Sequence, residues 1–167
     1  LCAACAKLRQ SNQGAAMQIQ STDPDSPEAL YCLAAYYALL AEKIAGVTAE
    51  GLVLPLPDAE AYRGPRGMFF VARQGDVPLG CVSLRPLSAT EAEVKRLWVS
   101  PEARGQGVGR ALLVHLEAQA QGLGYLRLKL DSNSVLTPAL ALYRATGWVD
   151  CAAYSPPPAD VWMDKAL

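Results

Sequence analysis

A glycine-rich run at residues 99–110 has the clearest potential for chemistry. It reads Val-Ser-Pro-Glu-Ala-Arg-Gly-Gln-Gly-Val-Gly-Arg and lies between a predicted strand and a predicted helix. The first turn of a helix presents backbone N–H groups without intrahelical partners, at the positive end of the helix dipole. Glycine lets the backbone approach a ligand closely. We therefore expect the run to bind phosphate oxygens, with Arg104 and Arg110 adding positive charge.

Two other phosphate-binding patterns fit this run less well. The P-loop needs a lysine after its last glycine, and none follows here. A dinucleotide-binding Gly-x-Gly-x-x-Gly would begin at Gly105 and Gly107, but its third glycine falls on Arg110. Asp131 stands about where a ribose-binding carboxylate would lie, so this alternative stays open. Against it, the preceding strand is rich in charge, unlike a buried parallel strand, and too little chain follows for a doubly wound sheet.

The run resembles the acetyl-CoA loop of the GNAT N-acetyltransferase superfamily, whose pattern is Arg/Gln-x-x-Gly-x-Gly/Ala. Arg104, Gly107 and Gly109 occupy that pattern. A second run, Ala-Leu-Ala-Leu-Tyr-Arg-Ala-Thr-Gly-Trp at 139–148, resembles the Ala-x-x-Leu-Tyr-x-x-x-Gly-Phe helix end of the same superfamily. The resemblance covers residues 68–152 well, and the N-terminal third only in the order of its elements.

This resemblance implies acetyl-CoA as cosubstrate, without a metal. Arg104 and the following amides would hold the pyrophosphate: Gly105, Gln106, Gly107, Val108, Gly109 and Arg110. Backbone groups of the preceding strand would bind the pantetheine arm and polarise the acetyl carbonyl: Leu97, Trp98 and Val99. The family often has an asparagine seven residues before the tyrosine of its helix motif. Leu136 occupies that position here, and Asn133 is the candidate substitute.

Two residues are candidates for proton transfer. Tyr143 is expected to act as the general acid, because a phenol with a pKa of about 10 stays protonated at neutral pH and can donate to the departing CoA thiolate. Glu93 is the candidate base, directly or through water, and Glu91 is a weaker alternative. Strand alternation predicts one shared face for Glu91, Glu93, Lys95, Leu97 and Val99.

Other reactive residue types are expected to be structural. His115, the only histidine, lies two turns into a predicted helix. Cys81 and Cys151 have no histidine beside them in any motif, and the resemblance implies direct transfer in a ternary complex, so both cysteines are expected to belong to the core. Cys2 and Cys5 form a CxxC pair, but no second pair or histidine pair completes a zinc site. Free thiols of a cytoplasmic protein are the simpler interpretation.

Hydrophobic periodicity and turn residues predict the elements that position these groups. Strands are predicted at 17–22, 68–73, 79–84, 90–99, 125–130, 148–152 and 161–165. Helices are predicted from Ser26 to Gly46, at 57–62, at 107–121 and from Thr137 to Thr146. This order predicts a mixed α/β fold, with a central, mostly antiparallel sheet flanked by helices, as in GNAT-like acyl-CoA N-acyltransferases. We expect a single domain at 17–167, preceded at 1–16 by a leader or a non-native extension.

Composition excludes several function classes. The chain has 167 residues, of which 51% are hydrophobic and 19% charged, with a formal net charge of −1. That balance argues against a general nucleic-acid or membrane surface, and no run of about 18 apolar residues suggests a membrane span. The expected partners are acetyl-CoA and an amine acceptor. Dimerisation is common in such domains, although the sequence shows no interface.

The acceptor is expected to contact residues 44–67 and the loop 150–160. Acidic and tyrosine side chains occur there: Glu50, Asp58, Glu60, Asp150, Asp160, Tyr62 and Tyr154. These acids would suit a cationic amine such as an aminoglycoside, a polyamine or a protein lysine, but ordinary surface charge explains them equally well. A non-catalytic, acetyl-CoA-binding regulatory domain is the alternative function, and the presence of Tyr143 and Glu93 speaks against it.

Overall fold

Seven strands of the described residues form one sheet, accompanied by three α-helices and two short 3-10 helices. The computed structural model describes residues 16–48, 51 and 53–167. The strands are β1 (Met17–Ser21), β2 (Met68–Gln74), β3 (Val77–Pro86), β4 (Glu91–Val99), β5 (Arg127–Ser132), β6 (Val149–Asp150) and β7 (Val161–Ala166). The α-helices are α1 (Pro27–Lys43), α2 (Val108–Gly122) and α3 (Thr137–Ala145), and the 3-10 helices are Ala59–Tyr62 and Pro101–Ala103.

The strand order is β1-β2-β3-β4-β5-β7-β6, and every neighbouring pair except β4 and β5 is antiparallel. This mixed, mostly antiparallel sheet with flanking helices confirms the predicted fold class. The parallel pairing of β4 with β5 covers only Glu91 to Glu93, against Arg127 to Lys129. Beyond Glu93 the described part of β5 no longer pairs with β4. The two strands therefore diverge toward the carboxyl end of β4.

Helices cover both faces of the sheet. α2 and α3 bury one face, where Leu112 and Leu116 meet Leu128 of β5 and Leu140 of α3. α1 and the helix Ala59–Tyr62 bury the other face. The core on that side includes Cys32, Leu33, Tyr62, Phe69, Val71 and Trp98.

α1 begins as its sequence predicts. The Ser26 hydroxyl accepts a hydrogen bond from the Ala29 N–H at 3.3 Å, and Pro27 occupies the first turn, where its missing N–H costs nothing. Helical spacing predicts one apolar stripe along this helix: Leu30, Leu33, Tyr37, Leu40 and Ile44. All but Leu30, which is half-buried, are buried as expected. This packing holds α1 across β4, beside the point where β4 and β5 diverge.

A β-bulge interrupts β4 near its carboxyl end. Cys81 of β3 lies opposite Trp98, whereas Ser83 lies opposite Lys95, so a step of two residues along β3 matches three along β4. Arg96 lies within this irregularity and has a φ of 59°. That left-handed conformation is uncommon and strained for a residue other than glycine.

The bulge reverses the facing of the residues that follow it. Strict alternation predicts that Glu93, Leu97 and Val99 share a face. Leu97 and Val99 instead pack against the core under α2, together with Ala92 and Val94. Glu93 lies between Ala92 and Val94 in the strand, so its side chain points to the opposite face, toward α1. The predicted shared face was wrong for Leu97 and Val99, because one inserted residue shifts the two-residue period by one.

Gly147 ends α3 as predicted. Its φ is 89°, and the Trp148 N–H donates to the Tyr143 carbonyl at 3.1 Å, which is the bond expected of a left-handed helix cap. The strand predicted at 148–152 is shorter than expected and comprises only Val149–Asp150.

Residues 1–15 of the predicted leader lie outside the described residues, so the domain limits of 17–167 stay a prediction. Cys2 and Cys5 fall in the same part of the chain. No helix in the described part combines the length and the apolar character needed to cross a membrane.

Candidate active site

A cleft of about 440 Å³ lies beside the carboxyl end of β4. Three of its lining residues come from α1: Tyr36, Leu39 and Lys43. Five come from the start of α3 and the loop before it: Val135, Leu136, Pro138, Ala139 and Leu142. The others belong to β4 and the glycine-rich run: Leu97, Trp98, Val99, Ala103, Arg104, Gly105, Gly107, Val108, Gly109 and Arg110. The walls are largely apolar, and the glycine-rich run supplies most of the polar groups.

The N-terminus of α2 presents unpaired backbone donors to this cleft. Its first intrahelical bond runs from the Ala111 N–H to the Gly107 carbonyl at 2.9 Å. The N–H groups of Gly105 and of residues 107–110 have no acceptor within the described part of the chain. Such groups at the positive end of a helix are the usual protein ligands of phosphate oxygens.

Three cations add to this positive end. Lys43, Arg104 and Arg110 line the cleft, and its lining includes no Asp or Glu. Lys43 pairs with its neighbour Glu42 at 2.8 Å, whereas neither arginine forms an ion pair with a described residue. Arg104 Nε lies 3.4 Å from the Val99 carbonyl oxygen, to which it donates. The cleft therefore suits a ligand that carries several negative charges.

Two glycines of the run have different roles. Gly107 precedes α2 with a φ of 81°, and a Cβ there would meet nothing within 4 Å, so the backbone conformation is what requires glycine. A Cβ on Gly109 would lie 2.9 Å from Leu142 Cδ2 and 3.4 Å from Val99 Cγ2. Gly109 therefore allows α2 to pack closely against α3 and β4.

Tyr143 lies in the core behind the α3 wall of the cleft. It follows the lining residue Leu142, and its ring centroid is 5.9 Å from that of Trp148. Its hydroxyl has no hydrogen-bond partner among the residues that the structure describes. Burial raises the pKa of Tyr143 well above its usual value, and the nearby Tyr36 and Asp131 raise it further. The phenol therefore keeps its proton at neutral pH.

Glu93 is almost fully buried and has partners on both carboxylate oxygens. Its Oε2 accepts a hydrogen bond from Arg85 Nε at 2.6 Å. Its Oε1 lies 3.5 Å from Lys95 Nζ and accepts from the Tyr154 hydroxyl at 3.1 Å. A charge buried this deeply is tolerated only because it is paired.

Further ion pairs extend this arrangement in both directions. Arg85 Nη1 lies 3.5 Å from Asp58 Oδ2, and Lys95 Nζ lies 2.7 Å from Asp131 Oδ1. Burial acts to raise the pKa of Asp131, but the charge and hydrogen bond of Lys95, together with Ser155 and Arg85, lower it overall. We call Asp58, Arg85, Glu93, Lys95 and Asp131 the polar cluster. Its three carboxylates and two cations come from four separate segments of the chain.

Comparison with known proteins agrees with this geometry. The family model for the acetyltransferase (GNAT) family matches residues 26–148. The chain belongs to the GNAT acetyltransferase family. The match includes the whole glycine-rich run, the polar cluster and Tyr143.

Individual relatives support the same assignment. An IAA acetyltransferase of Azospirillum brasilense is 34% identical over 116 residues, which are 67% of this chain and 76% of that protein. YsnE of Bacillus subtilis, an uncharacterised N-acetyltransferase, is 34% identical over 65% of this chain and 75% of its own length. A Klebsiella pneumoniae protein assigned to the acyl-CoA N-acyltransferases has a solved structure with a TM-score of 0.72 and 27% identity, covering 90% of this chain and 97% of that one. The chain is therefore an acyl-CoA N-acetyltransferase of the GNAT type, as the sequence predicts.

Most residues predicted to bind the cofactor line the cleft of this GNAT domain, but Gln106 and Asn133 do not. Gln106 Nε2 donates to the Glu102 carbonyl at 2.8 Å. Asn133 Nδ2 donates to the Pro158 carbonyl at 2.6 Å, and its Oδ1 accepts from the Val135 N–H at 3.1 Å. The Asn133 side chain thus holds two loops together, outside the cleft.

Sequence reasoning missed the contribution of α1 to the GNAT cleft. Tyr36, Leu39 and Lys43 follow a helical spacing of three and four, so they form a row beside the buried stripe. That stripe was a usable signal, because the row next to it must lie at the edge of the interface with the sheet. Leu136, where the family often has asparagine, also lines the cleft.

The alternative base and the histidine both lie outside the cleft lining. Glu91 Oε2 is 3.7 Å from Lys129 Nζ, in a partly exposed ion pair on the sheet. The His115 ring packs edge-on against Phe70, with 4.8 Å between ring centroids. His115 thus has a packing contact, as the sequence predicts.

The thiols of the GNAT core are poorly suited to nucleophilic attack. Cys81 is fully buried, and its Sγ donates to the Arg96 carbonyl at 3.2 Å. Burial raises the pKa of Cys81 well above its usual value, and burial likewise raises the pKa of Cys151. Both shifts disfavour the thiolate, which is the reactive form.

The acids predicted to attract a cationic acceptor already have partners. Asp58 belongs to the polar cluster, and Glu60 pairs with Arg63. Asp150 Oδ1 lies 3.2 Å from Arg144 Nη2, and Asp160 accepts from the Ser134 hydroxyl at 2.6 Å. Glu50 lies outside the described residues. Among the described loop acids, ordinary structural pairing is therefore the better interpretation.

Proposed function

We propose that this chain transfers an acetyl group from acetyl-CoA to a primary amine by direct attack within a ternary complex. The observation that carries the proposal is the cleft itself. It combines a row of unpaired N–H groups and three cations with apolar walls, and its lining contains no carboxylate. Its position beside the diverging ends of β4 and β5 suits a long, anionic ligand with an apolar arm.

Different groups of the chain bind different parts of the cofactor. The N–H groups of Gly105 and residues 107–110 bind the pyrophosphate oxygens, and Arg104 and Lys43 compensate their charge. The backbone of Leu97 to Val99 lies beyond the pairing with β5, so it is available to the pantetheine arm and the acetyl carbonyl. Bound acetyl-CoA supplies an activated thioester.

Two side chains donate and accept protons during the reaction. As the amine nitrogen bonds to the acetyl carbon and the carbon–sulfur bond breaks, Tyr143 gives its phenolic proton to the departing sulfur, and the proton that the new amide nitrogen then loses restores the phenol. Glu93 receives the proton that the acceptor ammonium loses, through a water molecule, because its oxygens are already engaged by Arg85, Lys95 and Tyr154. The bulge places Leu97 and Glu93 on opposite faces of β4, so the acceptor approaches from the α1 side.

Direct attack is favoured over an acyl-cysteine intermediate by the state of the thiols. Cys81 is buried against the Arg96 carbonyl, and the raised pKa of Cys151 keeps it a thiol. Neither residue lines the cleft. Transfer therefore needs the amine and the thioester to be bound together.

Isothermal titration calorimetry of the purified chain with acetyl-CoA tests the first half of this proposal, with NAD as the competing ligand. Thiol-specific detection of CoA release, on a panel of amines, tests the second half. We expect binding of acetyl-CoA but not of NAD, and turnover on at least one amine. Binding without turnover on any amine would favour the regulatory alternative, and absence of acetyl-CoA binding would refute the proposal.

A further inference from the structure

We propose that Arg96 binds a carboxylate of the acceptor, so that the preferred acceptors are amines that also carry a carboxylate group, such as amino acids. This inference rests on the proposed function and concerns the acceptor side of the same site. It differs from the cationic acceptors that the loop acids suggested.

Arg96 has an unusual environment for an arginine in a protein interior. Its Nε is buried and has no hydrogen-bond partner, and its side chain forms no ion pair with any residue in the described part of the chain. Its Cζ lies 5.4 Å from the ring centroid of Tyr37. A stacked tyrosine offsets part of the cost of burying a guanidinium, but it leaves every N–H donor of that group available.

Arg85 and Lys95, the cations near Arg96, are each paired with carboxylates. Arg85 contacts both Glu93 and Asp58, and Lys95 contacts Glu93 and Asp131. Asp58 is near enough for its charge to act on Arg96, but its Oδ2 already accepts from Tyr62 and Arg85. Arg96 is thus the one cation of this group without a carboxylate partner among the described residues.

The backbone at Arg96 also has an unfavourable conformation. Its φ of 59° is strained for a side chain that is neither glycine nor asparagine. Strain of this kind is typically retained where it aims a functional group. Here the bulge turns Arg96 away from regular strand pairing and places it directly before Leu97, which lines the cleft.

The position of Arg96 matches the side from which an acceptor approaches. Its neighbour along the strand, Leu97, faces the cofactor, and Tyr36 of the cleft lies on the α1 side with Tyr37. A guanidinium presents parallel N–H groups that match the two oxygens of a carboxylate. A polyamine or another acceptor with only positive charge would instead be repelled.

Matched acceptor pairs test this inference in the full chain. We would compare the kcat/KM of L-phenylalanine with that of phenethylamine, and that of L-lysine with that of cadaverine, and extend the panel to the other amino acids and their decarboxylated amines. Each pair differs in one carboxylate. The wild type should prefer the carboxylate-bearing member of at least one pair by about 30-fold or more, the effect expected of a buried charge pair.

Two variants then assign that preference to Arg96. Arg96→Gln removes the charge, and Arg96→Lys keeps it without the paired N–H geometry. Both should reduce the preference ratio, Arg96→Gln to near unity and Arg96→Lys only in part. Arg66→Gln is the matched control, because Arg66 also stacks on a tyrosine, with its Cζ 4.4 Å from the Tyr125 ring centroid, but its guanidinium already donates to the Tyr125 hydroxyl and the Ala89 carbonyl. It should leave the ratio unchanged.

Calorimetry with acetyl-CoA separates this inference from the proposed function. If each variant still binds acetyl-CoA and melts cooperatively, a collapsed ratio is a loss of acceptor recognition and not of folding. A wild type that binds acetyl-CoA but prefers the carboxylate-free amines would overturn the inference and leave the acetyltransferase proposal intact. So would an unchanged ratio in Arg96→Gln.

Discussion

The cofactor cleft and the polar cluster flank the same strand, but their polar groups are of different kinds. On the cleft side the polar groups are mainly backbone N–H groups at the start of α2, with three cations at the rim. On the other side, charged side chains from four segments meet in a buried ion-pair network around Glu93. One region is preorganised by local backbone conformation, and the other by tertiary packing.

This difference has consequences for what a mutation does. A change in the cleft removes donors that have no partner among the described residues, so it should reduce ligand binding and leave folding nearly intact. A change in the polar cluster leaves buried charges unpaired, so it should first reduce stability. Variants on the two sides of β4 therefore test whether the assignment of each region is correct.

Gly107→Trp should have the largest effect on binding. The new side chain occupies the cleft and blocks two or three charge-assisted hydrogen bonds, each worth about 1.5–3 kcal/mol, so acetyl-CoA affinity should fall by at least about 100-fold. Calorimetry measures this directly. Gly46→Trp is the matched control, because Gly46 has a φ of 80° and open space around its Cβ position, as Gly107 does with 81°. Equal losses of affinity in both variants would mean that backbone strain, and not the cleft, explains the result.

Tyr143→Phe should have the next largest effect, on kcat and not on binding. Loss of the general acid should lower kcat by about 100-fold or more, whereas stability should hardly change because the hydroxyl has no partner among the described residues. Tyr125→Phe provides the opposite pattern. The Tyr125 hydroxyl donates to the Arg66 carbonyl at 3.0 Å, so its loss should cost about 1 kcal/mol of stability and leave kcat unchanged. A Tyr143→Phe enzyme with normal kcat would exclude Tyr143 as the acid.

The cleft could be predicted from sequence because its signals are local. The start of α2 and the motif positions Arg104, Gly107 and Gly109 all lie within a few residues of one another. The helix end at Gly147 was likewise predictable, since its cap involves only neighbouring backbone groups.

The polar cluster could not be predicted, because its contacts join residues that are far apart in the chain. Asp58 meets Arg85 across 27 positions, and Lys95 meets Asp131 across 36. The bulge at Arg96 gave no local sign either, since neither glycine nor proline marks it. That missed bulge explains why Glu93 and Leu97 were placed on one face.

Glu93→Gln tests whether the polar cluster, unlike the cleft, contributes to the stability of the protein. It leaves Arg85 and Lys95 short of a buried carboxylate, so the free energy of unfolding should fall by about 3 kcal/mol. Glu91→Gln, in a partly exposed pair with Lys129 at 3.7 Å, should cost less than about 1 kcal/mol. Urea unfolding at neutral pH measures both. The same variants distinguish the candidate bases, since only Glu93→Gln should also lower kcat at saturating acetyl-CoA; the reverse result would favour Glu91.

The smallest and most gradual effect is the contribution of Tyr62, beside the polar cluster, to the loss of stability at alkaline pH, to which the other buried tyrosines with a raised pKa also contribute. Burial raises the pKa of Tyr62 to about 12, from an ordinary value of 10.0. Between these values the folded chain keeps a proton that the unfolded chain loses, so rising pH favours unfolding. One such group lowers the free energy of unfolding by about 1.4 kcal/mol per pH unit over that interval.

Urea unfolding at pH 8, 10 and 11 measures this loss, and Tyr62→Phe should make its slope shallower between pH 10 and 11. At pH 8 the variant is also less stable than the wild type, because the hydrogen bond from the Tyr62 hydroxyl to Asp58 Oδ2 at 3.2 Å is gone. The test therefore compares the slopes of the free energy of unfolding against pH, and not its absolute values. Tyr31→Phe, at a position that is 56% exposed, should retain the wild-type slope. A Tyr62→Phe slope equal to that of the wild type would place the alkaline sensitivity elsewhere, with Tyr36 in the cofactor cleft as the next group to test, because burial raises its pKa to about 12 as well.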